Sequence, residues 1–254
     1  MSNRRNALPY TQASAVSIRG TTHVRNDDRF TILDGSRIEV RDARRGAIFA
    51  VADGVSSFRD GHRAAEVTCE TLARFFTSAR PASEDLLLDL VESADAEVRM
   101  TIGGACTLAG IWLVGRRVRV FSLGDSSVYR IRGTQLRRLT PLQTRNGLTT
   151  YVGMGQTVRP CVTLDTHPLL AGDLFLLFSD GLMRAIGGEE DLRRLVLRAA
   201  GAPSAIEEVS RLLEQSEHPD DATLIVAEVI ALEASPAQVR AMLRDGASPE
   251  TRHV

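Results

Sequence analysis

A chain of 254 residues with 43% hydrophobic and 25% charged content has enough apolar mass for one large domain or two small ones, each with its own core. A net charge of −1 removes any global argument for nucleic acid or an anionic membrane as partner, and no apolar run nears bilayer-spanning length. All 31 basic residues are arginine, for which a GC-biased codon usage is the simplest account. The three cysteines, Cys69, Cys106 and Cys161, lie far apart with no zinc-type spacing, and read as small buried hydrophobes in a reducing compartment. No apolar stretch follows Met1-Ser-Asn-Arg-Arg-Asn6, so these residues do not read as a signal peptide. The expectation is a soluble, cytoplasmic, monomeric protein without nucleic-acid or membrane partners.

Residues 1–12 are polar and are expected to be flexible, and residues 13–18 read as a first strand. Residues 30–33 and 38–41 bracket Asp34-Gly35 and read as a hairpin. Residues 47–52 form an apolar run expected to be a buried strand. From residue 61 the period changes. Ala65, Cys69, Leu72, Phe76 and Ala79 recur at helical spacing, and a second helix opens at an N-capping Ser83 with Leu86, Leu87, Leu90, Val91, Ala94 and Val98 on its apolar face. Residues 107–114, 118–123, 127–131 and 135–139 read as an antiparallel meander, and 140–160 as a long loop or flap. Strands are expected again at 162–165 and 174–178. Helices follow at 189–200 and from a capping box Ser204/Glu207, then a last strand at 223–229. Residues 233–254 form a tail in which 236–244 could be a short helix. A single domain over 13–232 is expected, α+β in class, with helix pairs outside mostly antiparallel stacked sheets.

Acid gathers at the strand ends. Asp53-Gly54 ends the apolar run Ile48-Phe-Ala-Val-Ala52, and Asp180-Gly181 follows Leu174-Phe-Leu-Leu-Phe178. In mirror image, Asp27-Asp28 precedes Phe30-Thr-Ile-Leu33, and Asp220-Asp221 precedes Thr223-Leu-Ile-Val226. Taken singly, an Asp-Gly pair is a turn. A carboxylate at the inner end of a buried strand, however, needs a compensating partner. Four such ends predict one shared site. His62, His167 and His218 show no ligand spacing and read as surface or capping residues.

The order of these segments resembles the metal-dependent protein phosphatases of the PP2C or PPM type. Asp53-Gly-Val-Ser-Ser-Phe-Arg-Asp-Gly-His-Arg-Ala64 lies without gaps on that family's DGxGGHxxGExA element. Asn26-Asp-Asp28 is similar to its NED, Gly104-Ala-Cys-Thr107 to its GTT-like strand start, Gly124-Asp-Ser126 to its GDS, Ser179-Asp-Gly-Leu182 to its SDGL and Asp220-Asp-Ala-Thr223 to its DNxT. The resemblance covers about 14–230. It implies a four-layer α-β-β-α sandwich that removes phosphate from serine or threonine of proteins, opposing a bacterial Ser/Thr kinase, by attack of a metal-bridging water. It further implies two Mn²⁺ or Mg²⁺ ions. Asp53 would bridge them, the Gly54 carbonyl would bind one, and Asp180 and Asp220 would hold the other. Asp27 and Asp28 would complete the set, and Asp125 is the candidate ligand of a third ion. Carboxylate and carbonyl oxygens are the donors such hard cations prefer.

Departures from the pattern are specific. His23 stands where the family has its phosphate-binding arginine, so Arg25 is the candidate in its place, with Arg19 the other nearby guanidinium. Ser56-Ser57 replaces the double glycine, His62 a glutamate, Asp27 a glutamate and Asp221 an asparagine. These replacements keep a second reading open: a catalytically impaired module that binds phosphoproteins. A third, an aspartyl-phosphate enzyme, wants a DxD that Asp53-Gly-Val55 lacks.

Overall fold

The structure, a computed structural model, describes residues 8–141, 147–155, 158–233 and 251–253. In chain order these form β1 (Tyr10–Ile18), β2 (Arg29–Leu33), α1 (Ile38–Ala43), β3 (Ala47–Ala52), α2 (Gly61–Thr77), α3 (Glu84–Glu97), β4 (Leu108–Val114), β5 (Arg117–Leu123), β6 (Ser127–Arg132), β7 (Gln135–Arg138), α4 (Val158–Cys161), β8 (Thr163–Pro168), β9 (Leu174–Phe178), α5 (Asp180–Ile186), α6 (Glu189–Arg198), α7 (Ala202–Gln215), β10 (Ala222–Ala231) and β11 (Thr251–His253). One sheet runs β11-β1-β10-β9-β6-β7 and the other β2-β3-β4-β5-β8. All pairings are antiparallel except that of β1 with β11.

Three apolar layers hold the stack together, and β3 shows how. Its residues are fully buried on both faces. Ala47, Phe49 and Val51 pack between the sheets against Val128, Phe175, Leu177 and Ile225, while Ile48, Ala50 and Ala52 face Leu72, Phe75 and Leu87 of α2 and α3. On the far side, Val16, Leu176, Phe178, Leu224 and Val226 pack against Leu192, Val196, Ile206, Val209 and Leu213 of α6 and α7. The period-2 alternation of each strand thus feeds two cores, which is why these strands read as continuous apolar runs. The expected α-β-β-α order is observed. Trp112 lies in the core, its Nε1 donating to the Arg45 carbonyl at 2.7 Å.

Ser83 caps α3 as expected, accepting from the Leu86 N–H at 3.1 Å. Beyond Glu97 the chain continues into a π-helical turn, Val98–Ile102, which no sequence signal marked. Cys69 and Cys106 are buried and Cys161 half-buried, all three as free thiols.

Several expectations are corrected. Residues 38–41 form not a hairpin strand but α1: the Asp34 carboxylate accepts from the Ser36 N–H at 3.0 Å and from its hydroxyl at 2.6 Å, and this side-chain turn launches a helix that buries Val40. The meander is split, β4 and β5 lying in one sheet and β6 and β7 in the other, with Gly124-Asp125-Ser126 as the crossing. α7 starts at Ala202 behind Gly201, with Pro203 in its first turn, so Ser204 lies inside the helix rather than capping it. α5, seven residues long, was too short to show a period. His218 is buried, not a surface residue. β1 begins at Tyr10, drawn out by pairing with the long β10. Residues 1–7 and the helix expected at 236–244 lie outside the described residues.

Candidate metal centre

The acids converge because the strands do. Arg29 pairs with Ala52, and the next residue out on each strand is Asp28 and Asp53. In the facing sheet Phe178 of β9 pairs with both Leu224 and Ser127, and just beyond those strands stand Asp180, Asp220 and Asp125. The Asp53 backbone is held by Thr107, whose Oγ1 accepts from its N–H at 3.2 Å and whose N–H donates to its carbonyl at 2.7 Å. Thr107 Oγ1 in turn lies 2.6 Å from Ser126 Oγ, beside Asp125. Three segments distant in sequence are thereby locked together.

The glycines of the two Asp-Gly pairs serve close approach rather than turns. A Cβ on Gly54 would lie 2.5 Å from the Gly61 carbonyl carbon, and one on Gly181 would lie 2.1 Å from the Asp221 carbonyl oxygen. Gly54 also forms a β-bridge to Cys106, and Cys106 another to Val152. The described part of the 140–160 loop is therefore laid alongside the centre. Its Gly153 and Gly155 N–H groups donate to the buried Asp95 carboxylate at 2.7 and 3.1 Å, and Tyr151 meets Phe58 with ring centroids 5.4 Å apart.

The electrostatics identify the set. Burial pushes the Asp53 carboxyl well above the usual carboxylate range, and the negative charges of Asp28, Asp180, Asp220 and Asp125 push it further. Asp28 is raised by burial against hydrogen bonds from Ser179 and Thr223, with Asp221 and Asp220 adding to the rise. Asp180 is pushed up to about 6 by burial, with Arg184 opposing and Asp125 and Asp220 reinforcing. Burial and neighbouring negative charge thus disfavour the ionised forms of Asp28, Asp53 and Asp180, a condition that protons or divalent cations relieve.

Do these residues fit two hard cations? The donor set is all oxygen, and Asp28 Oδ1 is buried without a hydrogen-bond partner while Oδ2 accepts from Ser179 at 2.7 Å. An orphaned carboxylate oxygen facing other carboxylates is what a cation ligand looks like. Among the described residues, no three Asp, Glu, His or Cys side chains are already closed about one point. Asp180 and Asp220 are instead both drawn to Arg184. The donor chemistry fits hard cations, with Asp180 and Asp220 held by Arg184.

Of the other sequence candidates, Asp27 accepts from Arg25 Nε at 3.2 Å. Arg25 is half-exposed on the loop leading into Asp28, and also donates to Asp60 at 3.4 Å. Arg19 instead donates to the His23 and Val24 carbonyls, both at 3.0 Å, and shapes that loop. Sequence reading missed Asp221 as a support. It is buried and accepts from the N–H groups of Gly20 and Asp27, each at 2.7 Å, and pairs with His23 Nδ1 at 2.8 Å. The Asp220-Asp221 doublet was its only signal. Arg184 and Asp95 had none.

Fold and site together define a class: a double-sheet sandwich flanked by helices, with a carboxylate centre where the strand ends of both sheets meet. The chain belongs to the protein phosphatase 2C family, whose sequence profile matches residues 19–224. It is 26% identical over 250 residues to the serine/threonine protein phosphatase PstP of Mycobacterium tuberculosis, covering 85% of this chain and 45% of that protein. The chain therefore spans about half the length of the curated relatives it matches. Among solved structures, the catalytic domain of PstP in complex with two manganese ions superposes with a TM-score of 0.69 at 23% identity, over 87% of this chain and 98% of that one. A bacterial serine phosphatase superposes with 0.74 at 17% identity, over 87% and 98% of the two chains. The PPM Ser-Thr phosphatase MsPP of Mycobacterium smegmatis, in complex with cacodylate, gives 0.68 at 23%, over 88% and 100%. At these identities the likenesses show the fold. No helix among the described residues is long and apolar enough to cross a membrane.

Proposed function

We propose that this protein is a Mn²⁺- or Mg²⁺-dependent phosphatase acting on phosphoserine and phosphothreonine of proteins. The observation that carries the reading is the convergence of Asp28, Asp53, Asp125, Asp180 and Asp220 at one end of the two sheets, where burial and the surrounding negative charge leave Asp53 and Asp180 short of a positive partner. Family membership and the likeness to PstP support it.

Asp53, the Gly54 carbonyl, Asp28, Asp180 and Asp220 would hold two ions, with Asp27 supporting from the neighbouring loop and Asp125 available to a third. Two divalent ions so placed supply a water-derived nucleophile near neutral pH and neutralise charge on the phosphoryl oxygens. The chain's own contribution is positioning. Thr107 fixes the Asp53 backbone, Gly54 and Gly181 let the backbone segments approach, and the loop bridged through Cys106 covers one side. Arg25, half-exposed beside Asp28 and tethered by Asp27 and Asp60, would clamp the phosphate. The chemistry would occupy residues 13–232, with 1–12 and 233–254 as flanks. The protein would work as a cytoplasmic signalling monomer against a Ser/Thr kinase.

The test is hydrolysis of p-nitrophenyl phosphate and a phosphothreonine peptide with Mn²⁺. Turnover is expected for the wild type and not for Asp53→Ala or with chelator. Absence of turnover by folded wild-type protein in Mn²⁺ overturns the reading.

A further inference from the structure

We propose that Arg184 is a built-in cation that competes with the second divalent ion for Asp180 and Asp220, so that this half of the centre loads its ion later and more weakly than the half built on Asp53. The inference rests on the metal-centre reading above and adds to it a residue of this chain.

Helix geometry produces the arrangement. Asp180 opens α5 and Arg184 stands one turn on, the i,i+4 order in which an acid precedes a base. Asp220 comes from the segment before β10, brought close because Gly181 packs against the Asp221 carbonyl. One guanidinium then takes both carboxylates, Nη2 donating to Asp180 Oδ2 and Nη1 to Asp220 Oδ2. The other oxygen of Asp220, Oδ1, accepts from the Asp221 N–H at 3.0 Å. Each Asp220 oxygen therefore already accepts a hydrogen bond, one of them from a cation, before any metal binds.

On the other side of the centre arginine pairs only with the peripheral Asp27, through Arg25. Among the described residues no Arg forms an ion pair with Asp28, Asp53 or Asp125, whereas Arg184 bridges the other two acids. A divalent ion at Asp53 meets unopposed carboxylates. One at Asp180 and Asp220 must displace a positive charge. Displacement is mechanically easy, since the Arg184 side chain is 57% exposed on a short helix and can swing into water. Exposed ion pairs are individually weak, so the competition tunes metal affinity rather than blocking it.

The experiment is a Mn²⁺ titration of the full chain, stripped of metal, followed by calorimetry and by the paramagnetic resonance signal of free Mn²⁺. The wild type, Arg184→Gln and Arg184→Lys are compared. The wild type is expected to show a tight and a weak class of sites. Arg184→Gln tightens the weak class about five- to tenfold, as loss of two exposed ion pairs implies, and leaves the tight class unchanged. Arg184→Lys, which keeps the charge without the fork, falls between. A weak class unchanged or weakened in Arg184→Gln, or a change confined to the tight class, overturns the proposal. If the wild type binds two ions and hydrolyses phosphate esters while Arg184→Gln has no effect, only this proposal falls. If neither protein binds Mn²⁺, both readings fall together.

Discussion

At the scale of single residues, Asp221 shows how much of the centre depends on a side chain that holds backbone beside it. Its carboxylate accepts from two backbone N–H groups and pairs with His23, and so fixes the loop that delivers Asp27 and Asp28. Asp221→Ala leaves the buried Gly20 N–H and the part-buried Asp27 N–H without their acceptor and is expected to cost about 2–4 kcal/mol in urea unfolding, with Asp221→Asn, which keeps one acceptor, costing less. Gly181→Ala places a methyl 2.1 Å from a carbonyl oxygen. The backbone must move, with an expected loss of roughly 1–3 kcal/mol and weaker Mn²⁺ binding by calorimetry. Asp53 and Asp180 were legible in the sequence because each ends an apolar run. Arg184 was not, because an arginine one turn along a short helix reads as a surface residue until Asp220 is seen to approach from the other side.

At the scale of elements, two serines test what a cap signature means. Ser83 accepts from the Leu86 N–H, and Ser83→Ala is expected to cost about 1 kcal/mol in urea unfolding. Ser204 carries the fuller cap signature, with Glu207 three residues on, but lies within α7, so Ser204→Ala is expected to change stability by less than about 0.5 kcal/mol. What separates them is Pro203, which fits the first turn and moves the helix start upstream. The loop beside the centre has its own anchor. Asp95→Ala removes the acceptor shared by the Gly153 and Gly155 N–H groups. It is expected to increase proteolytic cleavage within residues 147–155, checked by mass spectrometry of limited digests, without unfolding the sheets.

For the molecule as a whole, the acid set links metal, pH and stability. Asp180 titrates near 6 in the fold, against about 4 for an ordinary carboxylate. Its folded-state value is raised, so between these values the folded state binds more protons than the unfolded state, and stability falls as pH rises through this window. The buried Asp28 and Asp53, raised in the same sense, act in the same direction. Metal-free protein is therefore expected to melt at a lower temperature at pH 7 than at pH 5. Mn²⁺ should reverse the loss by binding the ionised acids of the folded state. A melting temperature that rises from pH 5 to pH 7 in chelator would contradict this.

Sequence alone pointed to helix-flanked stacked sheets and to acid at four strand ends, since both follow from local pattern: apolar runs for strands buried on two faces, helical periods for the outer layers, and carboxylates where the apolar runs begin or stop; Asp125 stood out only through the family resemblance. Tertiary structure decided what local pattern cannot carry. Asp34 turned an apparent hairpin into α1 by capturing the Ser36 N–H. The meander divided between two sheets at Gly124-Asp125-Ser126, which is how Asp125 reaches the centre. Above all, the balance of charge among Asp180, Asp220 and Arg184 depends on two segments that only the fold brings together. A carboxylate's neighbours along the chain say that it needs a positive partner; its neighbours in space determine which one it has.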